Sequence, residues 1–433
     1  MLNANQKAVL NHLIDWYNGS NTFGVLHGSA GTGKTFLVQH LLKQLGTNCK
    51  PLLLAETNEA VNVLARSVKD QYPTKTVCSA LNLHLTHREG EKVLVQRSQP
   101  EFEEVNFLLI DEASMLDKTR LDIIKELGIK TLYIGHKSQL PPVDVTLTTI
   151  DKCISPVFEE NYPTFNLIEP VRNKGELATF CDKAESLIYQ RGILEAKYTI
   201  SNKLFDNYIK DDDTKREFKE GDTVCLAWTN RCVDDYNSKL RIALYGQVAI
   251  QNDFIVGDRI IFRSPTALFS SPVSSNHTDI ETILAKTATY ETVNTNTKGV
   301  VKLVVETTIL GIPVYELFIE TNHFDKAHTK GIAYVAVEDD KLALLKKKYY
   351  TSALYERVPA IADKKWRKYH SITTLFSNCK HGYAITVHCS QGSTIKNVLV
   401  DEKDISKCSN PYLRKKLKYV AYSRASNLLF RIS

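Results

Sequence analysis

No two of the nine cysteines stand in a Cys-x-x-Cys pair, and their number is odd. Cys49, Cys78, Cys225, Cys232 and Cys389 are therefore read with the others as reduced thiols in a cytoplasmic setting, not as a zinc site or a disulfide framework. No apolar run approaches the roughly 20 residues of a membrane span, and no basic segment followed by a long apolar one opens the chain, so neither membrane insertion nor export is expected. Charge of one sign is also scarce. A net charge of +6 permits a polyanionic partner without demanding one. Repeats of solenoid period are lacking too. What remains is a chain with 43% hydrophobic and 24% charged residues, a globular composition. Its 433 residues exceed the roughly 250–300 at which one core stops growing, so two or more domains are expected.

Strands and helices alternate along the first part of the chain. Leu10, Leu13, Ile14 and Tyr17 fall at helical spacing, Phe23 to His27 reads as a strand, and Leu37, Leu41 and Leu45 share one face of a second helix. Pro51 to Ala55, Phe107 to Ile110 and Leu132 to Ile134 read as buried strands; Leu116, Arg120, Ile123, Ile124 and Leu127 predict a helix that stops at Gly128. This order implies a parallel sheet over residues 1–175, interrupted by a hairpin at about 83–103 that includes Lys92 to Gln96. A second α/β segment covers 176–250, with a strand at Val224 to Trp228 and a helix through Val233, Tyr236 and Leu240, and resumes at 375–433. Between them, 251–374 is rich in strand formers from Phe254 to Val337, with a turn at Leu310 and Gly311, and is predicted to be a small β-barrel insertion followed by a basic and aromatic segment.

Gly28-Ser29-Ala30-Gly31-Thr32-Gly33-Lys34-Thr35 completes the P-loop pattern between a predicted strand and a helix. Glycines let backbone N–H groups turn around phosphates, with the helix N-terminus aimed at the same charge. Lys34 is placed to reach the β- and γ-phosphates of ATP and Thr35 to hold Mg²⁺. Asp111-Glu112 follows four apolar residues. Asp111 suits Mg²⁺ and Glu112 the attacking water, although two acids at this position also suit the cap of a helix beginning at Ala113.

Four further strings decide between classes of nucleotide hydrolase. Ile134 to Val143 (IGHKSQLPPV), Phe218 to Arg241 with Ala227-Trp228-Thr229-Asn230, Thr386 to Thr394 (TVHCSQGST) and Tyr419 to Ala425 (YVAYSRA) stand in the order found in superfamily 1 helicases and span nearly the whole chain. They resemble that family's RecD-like branch, which moves 5′ to 3′. The resemblance implies two RecA-like P-loop motor domains of α/β class. It implies that Gln139 senses the γ-phosphate, that Arg172 and Arg424 meet it, and that Gln391 and Gly392 lie at the nucleotide. Gln6 matches the family's adenine-reading glutamine, and also suits a capping box with Asn3. Each arginine also suits a plain surface position near a helix end.

For single-stranded DNA, Thr57, Asn58, Thr76 and Ser79 in the first half and Thr386, His388 and Ser390 in the second resemble the family's contacts, though such hydroxyls also serve as caps. Lys346 to Tyr350 and Lys364 to His370 interleave cations with rings, which suits either a nucleic-acid groove or a solvated amphipathic helix. Asp211 to Asp213 reads as a surface loop. Three positions depart from the family pattern: His136 where an aspartate is usual, Cys78 where a histidine is, and Glu56 where a proline is. The expected activity is ATP-dependent separation of forked duplex DNA by a monomer in the cytoplasm (the host's, for a phage protein), beside a single-strand-binding protein. The rival reading is a translocase that strips bound protein and opens little duplex.

Overall fold

In the computed structural model, residues 2–29, 31–88, 91–96, 98–100, 102–142, 153–169, 175–273, 290–321 and 329–433 are described. Ala30 and Arg172 lie outside them, as do Val143 and part of the stretch from Ser270 to Asn276. The strand Phe107–Asp111 shows how the first sheet arises. Successive side chains of a strand point to opposite faces, so Phe107 and Leu109 enter one core with Leu13, Leu37, Val38 and Leu41. Leu108 and Ile110 enter another with Leu121, Ile124 and Tyr133. A strand covered on both faces needs an apolar residue at every position, which is why these segments read as unbroken apolar runs.

Six strands form this sheet in the order Thr74–Thr76, Pro51–Ala55, Phe107–Asp111, Lys130–Gly135, Phe23–Gly28, Thr164–Leu167, all parallel. The helix expected from Leu116 starts at Lys118 because Asp117 caps it, its side chain accepting from the Arg120 N–H at 2.8 Å. A two-stranded hairpin, Leu83–Arg88 against Glu91–Gln96, stands apart from the sheet.

The second sheet runs Ala384–Thr386, Thr223–Ala227, Ile395–Asp401, Ala425–Ile432, Thr199–Ile200. The helix Pro411–Tyr422 packs on its last long strands through buried Leu417 and Val420. Both parallel sheets belong to one compact unit, residues 1–205, 223–233 and 385–433; residues 206–222 and 234–384 form the other.

That other unit contains a seven-stranded antiparallel sheet ordered Tyr290–Val293, Thr266–Phe269, Thr329–Ala336, Ile312–Thr321, Lys298–Ile309, Arg259–Phe262, Cys379–His381. Leu310 and Gly311, with φ of 54° and 74°, make the tight turn between its two longest strands. The basic and aromatic stretches form two helices, Asp339–Leu354 and Pro359–Leu375, packed on each other through Tyr350, Trp366 and Tyr369. The acidic run is not a loop. Asp211 caps the helix Asp212–Glu220 by accepting from the Thr214 N–H at 2.9 Å, and Asp212 and Asp213 fill its first turn, where negative charge is stabilised. Among the described residues no helix is long and apolar enough to cross a membrane.

Candidate functional site

The first sheet presents its P-loop at the carboxyl end of Phe23–Gly28, where ligands bind in sheets of this kind. Gly28 has no room for a side chain: a Cβ there would lie 2.6 Å from Thr32 Oγ1. Gly31 and Gly33 both take φ of 82°, a left-handed backbone that other residues adopt at a cost, and the helix Lys34–Leu45 follows. The Lys34 ammonium donates to the carbonyls of Gly28 at 2.7 Å and Ser29 at 3.0 Å. Gln6 forms the capping box with Asn3 and also reaches the P-loop. Its Oε1 completes the capping box by accepting from the Asn3 N–H at 3.1 Å, and its Nε2 donates to the Thr32 carbonyl, also at 3.1 Å.

Asp111 ends the strand Phe107–Asp111, next but one to the P-loop strand in the sheet, and accepts from the Glu112 N–H at 2.8 Å. Burial, and then the charge of Glu112, push the Asp111 carboxyl up to about 6, against the pull of Lys34. Glu112 sits in the left-handed region with φ of 53° and makes no side-chain cap to the turn Ala113–Met115, which removes the capping reading for this acid. Its Oε2 instead accepts from Gln139 Nε2 at 2.7 Å and from Gln391 Nε2 at 3.1 Å. Gln139 is held in turn, its Oε1 accepting from the His136 N–H at 2.9 Å. One amide follows a strand of the first sheet and the other precedes a strand of the second.

Lys34, Thr35, Asp111, Glu112, Gln139, Gly392 and Arg424 line one cavity of about 290 Å³, together with Gly31 and Gly33. Arg424 is buried, its guanidinium donating to the carbonyls of Val420 at 3.1 Å and Ser393 at 3.2 Å and to Ser423 Oγ at 3.0 Å. A larger cavity of about 670 Å³, bordered by Arg241, Phe254, Tyr315 and His381, has no comparable glycine-rich turn.

The threonines singled out for DNA are all helix caps. Thr57 Oγ1 accepts from the Ala60 N–H at 3.1 Å, Thr76 from Ser79 at 3.2 Å and Thr386 from Cys389 at 3.2 Å. A cap uses a lone pair of the hydroxyl and leaves its proton to donate elsewhere. Asn58 starts the helix that Thr57 caps. Ser390 is buried and donates to the Val387 carbonyl at 2.8 Å, while burial lowers the pKa of His388.

The departures from the family pattern are all accommodated. Glu56 pairs with Arg120, which Asp117 also holds, although burial pushes the Glu56 carboxyl up to about 7. Cys78, half-buried, lies near this pair, and burial raises its thiol. His136 is buried and stacks on His27 with ring centroids 4.1 Å apart; burial, then the charge of His27 and nearby lysines, lowers it to about 2. Sequence reasoning missed Asp404, whose carboxylate accepts from the N–H groups of Trp228 at 2.9 Å and Thr229 at 2.7 Å and so fixes the Trp228-Thr229 stretch. No local pattern marks it, since its partners lie more than 170 positions away.

Residues 1–176 match the AAA domain family and residues 381–430 the UvrD-like helicase C-terminal domain. The chain is 24% identical to an uncharacterized protein of Acanthamoeba polyphaga mimivirus, over 99% of each chain. It is 23% identical to the ATP-dependent DNA helicase dda of Enterobacteria phage T4, over 100% of this chain and 99% of that one. Against the ATP-dependent DNA helicase PIF1 of Saccharomyces cerevisiae it is 27% identical, over 47% of this chain and 23% of that one. Of solved structures, Pif1 from a study of unwinding at forked double-stranded DNA aligns with 100% of this chain and 92% of its own at a TM-score of 0.55 and 15% identity. Bacteroides Pif1 bound to single-stranded DNA aligns over the same shares at 0.51 and 14%. At these identities the structures speak to the fold, which is that of two RecA-like cores. Two family segments in the order of the site's own motifs and a helicase relative matched end to end make the chain similar to superfamily 1 helicases of the Pif1/Dda kind.

Proposed function

We propose that this protein hydrolyses ATP to travel 5′ to 3′ along single-stranded DNA and to separate duplex DNA at a fork, working as a monomer in the cytoplasm beside a single-strand-binding protein. The observation that carries the reading is the bridged carboxylate: Glu112 is gripped by one amide from each parallel-sheet core, inside the cavity that Lys34 and Arg424 line. A cleft of that construction ties the chemistry of a phosphate to the spacing of two cores.

The roles follow from the chemistry of each group. Lys34 and the P-loop N–H groups of Ser29 to Thr35 hold the phosphates, and Glu112 orients the attacking water. Gln139 and Gln391 hold Glu112, and Arg424, joined by Arg172 on the family pattern, neutralises charge on the transferred phosphoryl. Thr35 and Asp111 would hold Mg²⁺, because the Asp111 carboxyl, raised by burial and then by the charge of Glu112, would be relieved by a cation, which would supply charge neutralisation of the phosphates. Gln6 keeps one donor and one acceptor site beyond its bonds to Thr32 and Asn3, enough to read the adenine edge. The spare hydroxyl protons of Thr57, Thr76 and Thr386 suit DNA phosphates, with Asn58, Ser79, His388 and Ser390 beside them.

In this reading ATP draws the cores together, hydrolysis lets them part, and each grips the strand in turn. Opening one base-pair step costs roughly 1–2 kcal/mol, within the reach of one ATP. The hairpin Leu83–Gln96 is the wedge. Strand displacement from duplexes bearing only a 5′ or only a 3′ single-stranded tail tests the reading. Release from the 5′-tailed substrate alone is the expected result. Release from the 3′-tailed one reverses the polarity, and DNA-stimulated hydrolysis without release in either case favours the protein-stripping translocase.

A further inference from the structure

The segment that delivers Gln139 to Glu112 is gripped from its other side. His136 Nδ1 accepts from the Ser138 N–H at 3.2 Å, so a neutral ring carries its proton on Nε2, which lies 3.2 Å from Glu185 Oε1. Ser138 Oγ donates to the same Glu185 oxygen at 3.2 Å. The next carbonyl, Lys137 O, accepts from the Tyr189 hydroxyl at 2.8 Å and from the ammonium of Lys416, which also reaches the Cys153 carbonyl at 2.6 Å. Lys416 is 1% exposed; among the described residues this buried cation has no carboxylate partner and is held by backbone carbonyls. Burial at this cost is hard to account for by solubility or packing, since a leucine would fill the space more cheaply.

The three gripping side chains share a mechanical origin. Lys416 lies on the helix Pro411–Tyr422, which flanks the second sheet and leads into Arg424, and the helix Glu176–Ser186, carrying Glu185, packs against it through Phe180 and Tyr422 at 5.5 Å. Tyr189 follows that helix by three residues. Beside the grip, a cavity of about 450 Å³ between His136, Ser138, Glu185 and Tyr189 leaves the segment space to shift.

We propose that Glu185, Tyr189 and Lys416 are positioning residues that clasp His136–Gln139 and transmit the state of the nucleotide cleft to the second core. When Gln139 follows Glu112, the clasp moves the Lys416 helix, and with it Arg424. The proposal rests on the helicase reading, and its test separates the two.

In the full-length protein, Lys416→Met and Glu185→Ala should leave the KM for ATP within about twofold while lowering base pairs opened per ATP by about fivefold or more. Glu185→Gln, which still accepts from His136 and Ser138, should restore most of that ratio. Hydrolysis and unwinding falling in parallel, or an unchanged ratio, would overturn the clasp. If Lys416→Met lowers the melting temperature enough to obscure the result, Tyr189→Phe removes one hydroxyl at constant volume and carries the test. Hydrogen exchange of Pro411–Tyr422 with and without AMP-PNP gives a readout free of DNA. Protection induced by the analogue in the wild type and lost in the variants supports the clasp even if the wild type opens no duplex, in which case only the helicase reading fails. Equal protection in wild type and variants, with duplex opening intact, defeats the clasp alone.

Discussion

Glu112 holds a left-handed backbone that costs a residue with a side chain roughly 1–3 kcal/mol, and it persists only where its surroundings fix it. Two glutamine amides do so here. Glu112→Gln keeps the shape and loses the charge, so hydrolysis in a single turnover should fall by about 10²–10⁴-fold while AMP-PNP binding persists; near-normal hydrolysis would remove Glu112 from its role. Lys34→Ala should abolish DNA-stimulated hydrolysis, and activity surviving there would move the phosphate site elsewhere. These residues were legible because a P-loop must be contiguous: its glycines, lysine and threonine all serve one turn of backbone. Gln391 could be named from a motif, but its bond to Glu112 joins residues 279 positions apart and has no local trace. Lys416 was illegible for the opposite reason, since a lysine within a run of basic residues reads as surface and is buried here. His136 faces Glu185 across 3.2 Å. An aspartate there would set like charge against Glu185, so His136→Asp should lower base pairs opened per ATP, not raise them.

Elements were read best where burial imposes a period. The runs around Leu53, Leu109 and Leu132 were visible because both faces of each strand are covered; Leu109→Ala should cost about 2–5 kcal/mol in urea denaturation. Asp211 to Asp213 misled for want of such a pattern, because a cap and an acidic first turn look like any polar loop until the following helix is known. The helix Pro411–Tyr422 depends on Glu402 in a way that pH exposes. Burial by itself would raise the Glu402 carboxyl, but hydrogen bonds from Arg431 and Tyr422, and the charge of Lys418, hold it below its ordinary 4.5. A carboxylate depressed on folding adds stability above its unfolded pKa, and that contribution is lost as pH falls through the folded value. The difference in urea midpoint between wild type and Glu402→Gln should therefore be full at pH 7 and shrink below about 4.5; a constant gap would mean the ion pair adds nothing.

At the scale of the molecule, alternation of strand and helix revealed two α/β cores and the β-rich insertion between them. It could not reveal how the chain shares itself out, with 223–233 counted with the cores while 206–222 and 234–384 form a separate compact unit. Contacts between distant segments decide that. The basic helices of the second unit offer exposed Lys347, Lys348, Lys364 and Arg367. If they touch single-stranded DNA, the slope of log affinity against log salt should flatten by about 0.7 for each cation removed; an unchanged slope would leave them to packing alone.

The order of the second sheet has a bearing on how the protein is made. Ala425–Ile432 lies between Ile395–Asp401 and Thr199–Ile200, an inner strand drawn from the far end of the sequence. While the ribosome is still translating, the first core has every strand it needs once residue 167 has emerged, yet the second stays an open pair of fragments until residues past 425 are free. A nascent chain stalled short of that point would carry a finished phosphate pocket and no opposing wall.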